Sequence, residues 1–455
     1  MDIAQLQQTV TERGILFFDL KVADLLGFLH HVTLPVDRLD DRLLLEGVGF
    51  DGSSYGFSGV ERSDMVLLPD LDTCFVDPFR QQPTLACLAT IHLTDAARTL
   101  YTEDPRRIAK KAEDRLHALG IADRSLWGPE YEFYVFDRLE VRDEEGWLES
   151  HIVPVAPMTG KGYHAETPRD AFADFRSEVC SILHQWNIPV KYHHHEGGAW
   201  GQNEIEVQLE PLLPAADHAI LIKYALKNTA TRRGWALTWM PKPLYGHPGN
   251  GWHVHLLLQK DGQNLFYREP STYAHLSETA FCFIGGMLKH ARSLCAITNP
   301  CTNSYKRLVP GFEAPVTITF GGGNRSSACR IPLYVARTEE IRCEYRPPDA
   351  TANPYLCLSA LLQAGIDGIE HGIDACREGY GPFETDLFSP EMVKKVAFLP
   401  GNLSEAIQAL EEDSDYLLAG DVFPRPLLER WLELKRLEAR EGSLRPHPSE
   451  LKHYF

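Results

Sequence analysis

Acidic and imidazole side chains recur two positions apart in four short, otherwise apolar stretches of this 455-residue chain. The stretches pair Glu130 with Glu132, Glu204 with Glu206, His253 with His255, and Glu344 with Arg346. Residues i and i+2 of a β-strand share a face, so four strands could direct these groups at one point of a sheet. Clustered carboxylates repel one another unless a cation lies between them. Carboxylates mixed with imidazole, and without thiolate, favour Mg²⁺ or Mn²⁺ over Zn²⁺, so the pattern predicts a metal site.

A second group of charged residues lies between residues 299 and 332, in a segment rich in glycine and proline. It carries Arg307, Glu313, Arg325 and Arg330. Arginines among turn residues are typical of a movable loop that binds anions, although each arginine alone could be a solvated surface residue. The chain has no Walker A loop, no GxGxxG after a strand and no GxSxG. If it binds a nucleotide, we therefore expect metals and arginines to hold the phosphates.

Composition narrows the possible partners. The formal charge of −18 at pH 7 argues against nucleic acid and against anionic membrane surfaces. The first residues, MDIAQLQQTV, lack the basic and apolar regions of a signal peptide, and no apolar run is long enough for a membrane span. The ten cysteines form no CxxC pair, and most lie inside apolar runs. We therefore expect a reduced, cytoplasmic protein without a disulfide framework.

The hydrophobic pattern changes along the chain. From residue 14 to about 100 it predicts short strands separated by Gly, Pro and Asp. A helix is predicted over 104–120, because this segment starts with Asp-Pro and ends with Gly, and a domain boundary is expected near residue 102. Beyond residue 127 strands alternate with helices, and residues 353–378 and 402–441 are predicted to be mainly helical. The pattern indicates an α+β or α/β fold.

Several longer motifs occur along the chain in a fixed order. Besides the segment 299–332 they are FDGSS (50–54), GPEYEF (128–133), HHHEGGAWGQNE (193–204), MPKPLYGHPGNGWHVH (240–255), EYRPPDATANPYL (344–356) and the tail HPSELKHYF (447–455). Together they resemble the signature of the glutamine synthetase family, bacterial type I, over nearly the whole chain. The resemblance implies an α+β fold, with an N-terminal β-grasp domain over 1–102 and a catalytic domain over 103–455 built as an antiparallel-sheet α/β barrel-like structure. It also implies a homododecamer of two hexamers, with active sites between adjacent subunits.

The resemblance further implies two sites for Mg²⁺ or Mn²⁺, each formed by three side chains. One set is matched by Glu132, Glu196 and Glu204. The other is matched by Glu130, His253 and Glu344. The histidines at 193–195 stay outside both predicted sites, because a structural or supporting role is the more common one for such side chains.

The reaction implied by the resemblance is ATP-dependent formation of glutamine from glutamate and ammonia through γ-glutamyl phosphate. The residues matched to binding of glutamate and ammonium are Glu132, Tyr163, Glu196, Gly249, Arg307, Glu313 and Arg346. Those matched to the nucleotide and its phosphates are His255, Arg325, Arg330 and Arg342. Catalytic roles fall on Arg325 at the transferred phosphate, on Glu313 in a flap over the intermediate, and on Asp51. The resemblance implies that Asp51 takes a proton from ammonium and is supplied by the neighbouring subunit.

The chain departs from the family pattern around the expected nucleotide and amine pockets. The departures are Pro248, Leu257, Gly321–Gly323, Trp200 and a loop after FDGSS that is one residue shorter. A primary amine could therefore replace ammonia, which would make the product a γ-glutamylamide. A non-catalytic family member is a third hypothesis, against which the intact set of ligands argues. Phe388 lies in the loop where enteric members carry an adenylylated tyrosine, so we predict no such modification.

Overall fold

The computed structural model describes residues 3–144, 147–156, 162–312, 314–447 and 449–450. Glu313 and most of the tail motif 447–455 lie outside these ranges. The N-terminal part of the described chain consists of α1 (Ile3–Arg13), β1 (Phe17–Ala23), β2 (Leu29–Pro35), α2 (Asp41–Glu46), β3 (Val48–Asp51), β4 (Asp64–Pro69), β5 (Phe75–Val76) and β6 (Thr84–His92).

These strands form one sheet in the order β2-β1-β6-β4-β3, with β5 also paired to β6. Strand β1 is antiparallel to β2 and parallel to β6. Its sequence, FFDLKVA, is mostly apolar and mostly buried, and its charged residues Asp19 and Lys21 pair with each other at 2.8 Å. The predicted β-rich character of this region is confirmed. The pattern did not predict α2, which begins where the Asp40 side chain accepts a hydrogen bond from the Leu43 N–H at 2.8 Å.

Helix α3 (Pro105–Ala118) follows the first sheet and confirms the helix predicted over 104–120. The Asp104 side chain caps it by accepting from the Arg106 N–H at 3.0 Å, and Pro105 occupies the first helical turn. The domain boundary expected near residue 102 falls between β6 and α3 and stays a prediction.

The rest of the described chain alternates strands and helices as the pattern predicted. Its first elements are β7 (Arg124–Glu144), β8 (Trp147–Pro154), α4 (Ala173–Gln185), β9 (Val190–His195), β10 (Gln202–Val207), β11 (Glu210–Pro211), α5 (Leu212–Arg232), β12 (Ala236–Thr238), β13 (Val254–Lys260) and β14 (Gln263–Asn264). The later ones are α6 (Glu278–Lys289), α7 (Ala291–Thr298), α8 (Ser304–Arg307), β15 (Thr317–Gly322), β16 (Ser327–Ile331), β17 (Cys343–Tyr345), α9 (Pro354–Glu370), α10 (Leu403–Glu412), α11 (Asp415–Leu418) and α12 (Arg425–Leu444).

A second, larger sheet has the order β15-β16-β17-β13-β7-β10-β9 among the described residues. All neighbours on this path are antiparallel except β15 and β16. The four stretches that pair charged residues two positions apart lie on or next to the four consecutive strands β17, β13, β7 and β10. Register places Glu204 opposite Glu132 and His255 opposite Glu344. The expected convergence of these stretches in one sheet is therefore confirmed.

Buried ion pairs connect the N-terminal sheet to the larger part of the molecule. The Arg106 guanidinium on α3 contacts Asp70 at 2.7 Å, just beyond β4, and Asp217 on α5 at 2.8 Å. Helix α9 has an almost entirely apolar sequence and is buried on nearly every side, chiefly against α6 and α3. No helix within the described residues has both the length and the apolar character needed to cross a membrane.

Candidate active site

A cavity of about 1280 Å³ opens beside the second sheet. Side chains from β7, β9, β10, β16 and β17, from α4 and α8, and from neighbouring loops line it, and most of the residues predicted from the sequence are among them. These are Glu130, Glu132, Tyr163, Glu196, Glu204, Gly249, His253, Arg307, Arg325, Arg330, Glu344 and Arg346. The fold thus brings together residues that lie up to 216 positions apart in the chain.

Glu130 and two histidines form the centre of one cluster. Oε2 of Glu130 lies 2.9 Å from Nδ1 of His253, and Oε1 of Glu130 lies 2.8 Å from Nε2 of His255. Glu344 completes the cluster, with Oε1 3.8 Å from Nδ1 of His253. The ligand atoms of Glu130, His255 and Glu344 lie within 4.8 Å of one another, which is close enough to share one cation. Both histidines contact Glu130, so His255 is a potential ligand in addition to the predicted His253.

His194, Glu196 and Glu204 form a second cluster, whose ligand atoms also lie within 4.8 Å of one another. Nε2 of His194 is 3.4 Å from Oε1 of Glu204, while its Nδ1 lies 3.1 Å from the carbonyl oxygen of His195. His194 is not among the cation ligands predicted from the sequence. An available signal was strand alternation, since His194 faces Glu204 directly across β9 and β10.

The electrostatics of the two clusters differ. Burial raises the pKa of Glu196 to about 8, with the charges of Glu132 and Glu204 adding to it. Burial and the neighbouring carboxylates Glu130 and Glu132 raise the pKa of Glu204 well above its usual value. Burial also opposes ionisation of Glu344, but Arg346, His255 and Arg330 together outweigh it and hold the pKa of Glu344 at about 2. The carboxyls of Glu196 and Glu204 therefore favour their protonated forms near neutral pH, and a cation that binds between them would replace those protons.

The donor atoms present fit divalent cations. Carboxylate oxygens with one or two imidazole nitrogens suit Mg²⁺ or Mn²⁺, and none of the ten cysteines belongs to either cluster. Repulsion within the group of Glu132, Glu196 and Glu204 is relieved when a cation lies between them. The first cluster is also acidic but shares its charge with two histidines and two arginines.

Arginines line the cavity directly beside the first cluster. Arg346 contacts Glu344 Oε1 at 2.6 Å, and Arg330 contacts the other oxygen of the same carboxylate. Arg307 is buried, and its guanidinium donates to the carbonyls of Pro347 at 2.7 Å and Arg346 at 3.2 Å. Arg325 is exposed at the cavity edge. A planar guanidinium held in this way can bind carboxylate or phosphate oxygens in a defined orientation.

Two further predicted residues line the cavity for different reasons. Gly249 lies against Arg307, and a Cβ there would come within 2.4 Å of the Pro241 carbonyl oxygen and 2.8 Å of the Arg307 side chain. Only glycine therefore fits between the loop and this arginine. Tyr163 is about half exposed, and its ring stacks on His164 with centroids 4.0 Å apart.

Three predicted residues are not among the described residues that line the cavity. His255 and Arg342 are buried behind the cavity wall, where Nε of Arg342 donates to Nδ1 of His255 at 3.2 Å. Asp51 lies in the N-terminal sheet, at the end of β3, and does not line the cavity of its own chain. Hydrogen bonds from Ser53 and Ser54 hold the pKa of Asp51 at about 2. The assigned roles of these residues, and that of Glu313 outside the described residues, stay predictions.

Among the described departures from the family pattern, Pro248 lines the cavity. Leu257 is buried on β13, and Trp200 packs its ring against His247, with centroids 5.4 Å apart. Gly322 is the last residue of β15, and its backbone N–H donates a hydrogen bond to the Tyr273 hydroxyl at 2.6 Å. Trp200 is not among the described residues that line the cavity, whereas His247 is.

Comparison with known protein families establishes the class to which this protein belongs. Residues 14–94 match the family model described as glutamine synthetase, beta-Grasp domain, and residues 102–454 match glutamine synthetase, catalytic domain. The molecule is therefore an α+β ligase with an N-terminal β-grasp domain, as the sequence resemblance implied. This chain belongs to the glutamine synthetase family.

Individual relatives agree with this assignment over nearly the full length. The chain is 42% identical to a glutamine synthetase of Frankia alni, covering 98% of this chain and 97% of the relative. Its structure is similar to the Plasmodium falciparum glutamine synthetase determined by cryo-electron microscopy, with a TM-score of 0.91, 26% identity and coverage of 100% and 99%. It is also similar to GmaS in complex with ADP, with a TM-score of 0.85, 29% identity and coverage of 100% and 99%.

Proposed function

We propose that this chain joins glutamate to ammonia at the expense of ATP, and so makes glutamine. One observation carries the proposal: carboxylates with raised pKa values, Glu196 and Glu204, share a single cavity with the arginines Arg307, Arg325 and Arg346. The carboxylates can bind cations, and the arginines can bind anions. A glutamate substrate and the phosphates of ATP supply those anions, and GmaS, a structural relative, binds ADP.

The arginines take two tasks in this proposal. Arg307 and Arg346 lie together on one side of the cavity and hold the carboxylate of the substrate glutamate. Arg325 and Arg330 neutralise the phosphoryl group while it moves from ATP to the substrate's γ-carboxylate. One carboxylate oxygen bonds to the γ-phosphorus as ADP leaves, and ammonia then displaces phosphate from the acyl carbon. Donors fixed before the reaction stabilise the charge that develops in both steps.

Two divalent cations fit the clusters described above. When bound, they would polarise phosphate and carboxylate oxygens and neutralise charge on the transferred group. Glu132, Glu196 and Glu204, with His194, would hold one cation. Glu130, His253 and Glu344, with His255, would hold the other.

Ammonium is the substrate that needs a negatively charged neighbour. The low pKa of Asp51 keeps its carboxylate ionised at neutral pH, which suits attraction of ammonium more than strong proton abstraction. Because Asp51 lies outside the cavity of its own chain, we propose that an adjacent subunit supplies it. The protein would then be an oligomer, with a dodecamer of two hexamers as the proposed form, and the predicted cytoplasmic location fits this role.

Ligation of a primary amine is the second candidate. Pro248 forms part of the cavity wall and removes one backbone donor there, and Trp200 supports the neighbouring His247. These two side chains change the wall where the second substrate would enter. They favour a larger, more apolar nitrogen substrate over ammonium.

Release of phosphate tests both candidates. The protein is incubated with ATP, Mg²⁺ and glutamate, and ammonium is compared with methylamine, ethylamine and a polyamine while the product mass is recorded. We expect the highest kcat/KM with ammonium and a product with the mass of glutamine. A higher kcat/KM with an amine would establish the second candidate, and no glutamate-dependent phosphate release with any nitrogen substrate would contradict both.

A further inference from the structure

We propose that Gln202 is a positioning residue that fixes which carboxylate oxygen of Glu132 faces the cation and holds two active-site loops in register. This inference rests on the proposed function, because it concerns the same cavity. Gln202 is the first residue of β10 and is 1% exposed, although part of it reaches the cavity wall. Gln202 is neither a residue predicted for the site nor a member of either cation cluster.

The amide of Gln202 is fully used by specific partners. Its Oε1 accepts a hydrogen bond from the Gly198 N–H at 2.8 Å. Its Nε2 donates to the Gly249 carbonyl at 2.9 Å and lies within reach of Asn250 Oδ1 at 3.2 Å and Glu132 Oε2 at 3.3 Å. One end of the amide meets a donor and the other end meets only acceptors. The partners therefore fix the orientation of the amide, and no other uncharged side chain of this length presents the same pair of groups.

The contact with Glu132 has a consequence for metal binding. Oε2 of Glu132 also accepts from the Gly251 N–H at 2.7 Å, so protein donors occupy this oxygen. Oε1 lies 3.8 Å from Nδ1 of His253, and the charge of Glu132 also acts on Glu196 and Glu204, so this carboxylate borders both clusters. Gln202 and the Gly251 N–H thus orient the carboxylate so that Oε1 is presented to a cation. Groups that orient metal ligands from behind contribute strongly to affinity, although they never touch the metal.

The other contacts of Gln202 reach the two loops beside β10 and β13. One loop, residues 196–201, begins with Glu196, and the other, residues 246–251, contains Gly249 against Arg307. Gly198 is packed so closely that a Cβ would approach the Tyr134 hydroxyl to 2.1 Å and Gln202 Oε1 to 2.7 Å. The Gln202 side chain therefore links the proposed cation ligand Glu132 to both loops, residues 196–201 and residues 246–251. Loss of its amide should disturb cation and glutamate binding together.

Gln202→Met tests the proposal, because methionine has a similar length and volume but no amide. Binding of Mn²⁺ is measured by calorimetry without nucleotide or glutamate, and KM for glutamate is measured separately. We expect Mn²⁺ affinity to fall about 10- to 100-fold, the usual effect of removing a group that orients a metal ligand. KM for glutamate should rise as well, with a smaller change in kcat. The matched control is Gln208→Met, an exposed position just beyond the same strand, which should change neither quantity.

A second variant covers the case in which Gln202→Met does not fold. Gln202→Asn retains the amide but withdraws it by one methylene group, and it should weaken Mn²⁺ and glutamate binding in the same direction. Wild-type affinities for both ligands in a folded variant would overturn the role of Gln202 alone. If the wild-type protein itself bound no Mn²⁺, the proposed cation site would be wrong and this proposal would fail with it.

Discussion

The Nη2 of Arg307 donates a hydrogen bond to Nε2 of His253 over 3.2 Å. A guanidinium can only donate, so Nε2 must accept and Nδ1 carries the proton that faces Glu130. The residue proposed to hold the substrate carboxylate and a proposed cation ligand are therefore in direct contact. A substitution of Arg307 or of His253 should therefore alter both glutamate binding and cation binding.

Arg307→Lys should raise KM for glutamate by roughly 10- to 100-fold, because a lysine cannot reproduce the several directed bonds of a buried guanidinium. It should also strengthen Mn²⁺ binding, since Arg307 holds the His253 proton on Nδ1, the ring nitrogen that faces Glu130, and a cation can bind that nitrogen only after the proton has left. Steady-state kinetics and calorimetry give the two quantities. Arg337→Lys, at an exposed arginine paired with Glu340 at 3.4 Å, is the control. An unchanged KM for glutamate in Arg307→Lys would contradict the assignment.

Glu204→Gln should stabilise the metal-free protein while reducing its response to cations, since the first cluster stays intact. Burial and neighbouring carboxylates raise the pKa of Glu204, so this carboxyl must take up a proton on folding, which costs free energy at neutral pH. An amide needs no proton, and we expect a gain of about 1–2 kcal/mol in EDTA. Wild-type Tm should instead rise on adding Mg²⁺. Thermal unfolding with and without Mg²⁺ measures both effects, with Glu340→Gln at the surface as the control. A Tm increase with Mg²⁺ in Glu204→Gln equal to that of wild type would exclude Glu204 as a ligand.

Two inactive variants should restore activity when they are mixed within one assembly. Asp51→Ala removes the group proposed to come from the adjacent subunit, and Arg325→Ala removes one from the cavity's own chain. Random co-assembly gives each site both intact residues in about one case in four, because a head-to-tail ring joins unlike surfaces. Co-expression with two affinity tags, followed by tandem purification, isolates the mixed assemblies. Activity no higher than that of either variant alone would place Asp51 and Arg325 in the same chain's site or outside it.

His290 makes the free energy of unfolding depend on pH. Burial disfavours its charged form, but hydrogen bonds with Asp367 at 2.9 Å and Asp413 at 2.8 Å outweigh burial and raise the pKa of His290. The stabilisation is complete below the unfolded value of about 6.5 and is lost as pH rises through the higher folded pKa. We expect a loss of about 1–2 kcal/mol, the range for hydrogen bonds to charged groups.

Urea unfolding at pH 6 and pH 9 measures this difference. His290→Gln should remove much of the pH dependence, whereas His184→Gln, at an exposed position at the end of α4, should retain it. Identical pH profiles for wild type and His290→Gln would show that other groups dominate the titration.

Strand periodicity alone located much of the candidate site. Glu130, Glu132 and Glu204 follow an alternation of two, and β7 and β10 present these carboxylates to the cavity as the pattern required. Asp104 with Pro105 similarly defined the start of α3, because capping is a local interaction. These features depend on residues close in sequence, so they can be predicted from the sequence.

Other features were decided only by tertiary structure. His253 lines the cavity while His255, two positions on, is buried behind the wall against Arg342, so sharing a face did not make the two equivalent. His194 and Gln202 acquire their roles from β9, β10 and β7 lying side by side, and from loops that close over them. Carboxylate pKa values depend on burial and on charges contributed from distant positions in the sequence. The sequence specifies the candidate ligands. Packing decides which of them come into contact, how they are oriented and how far their pKa values shift.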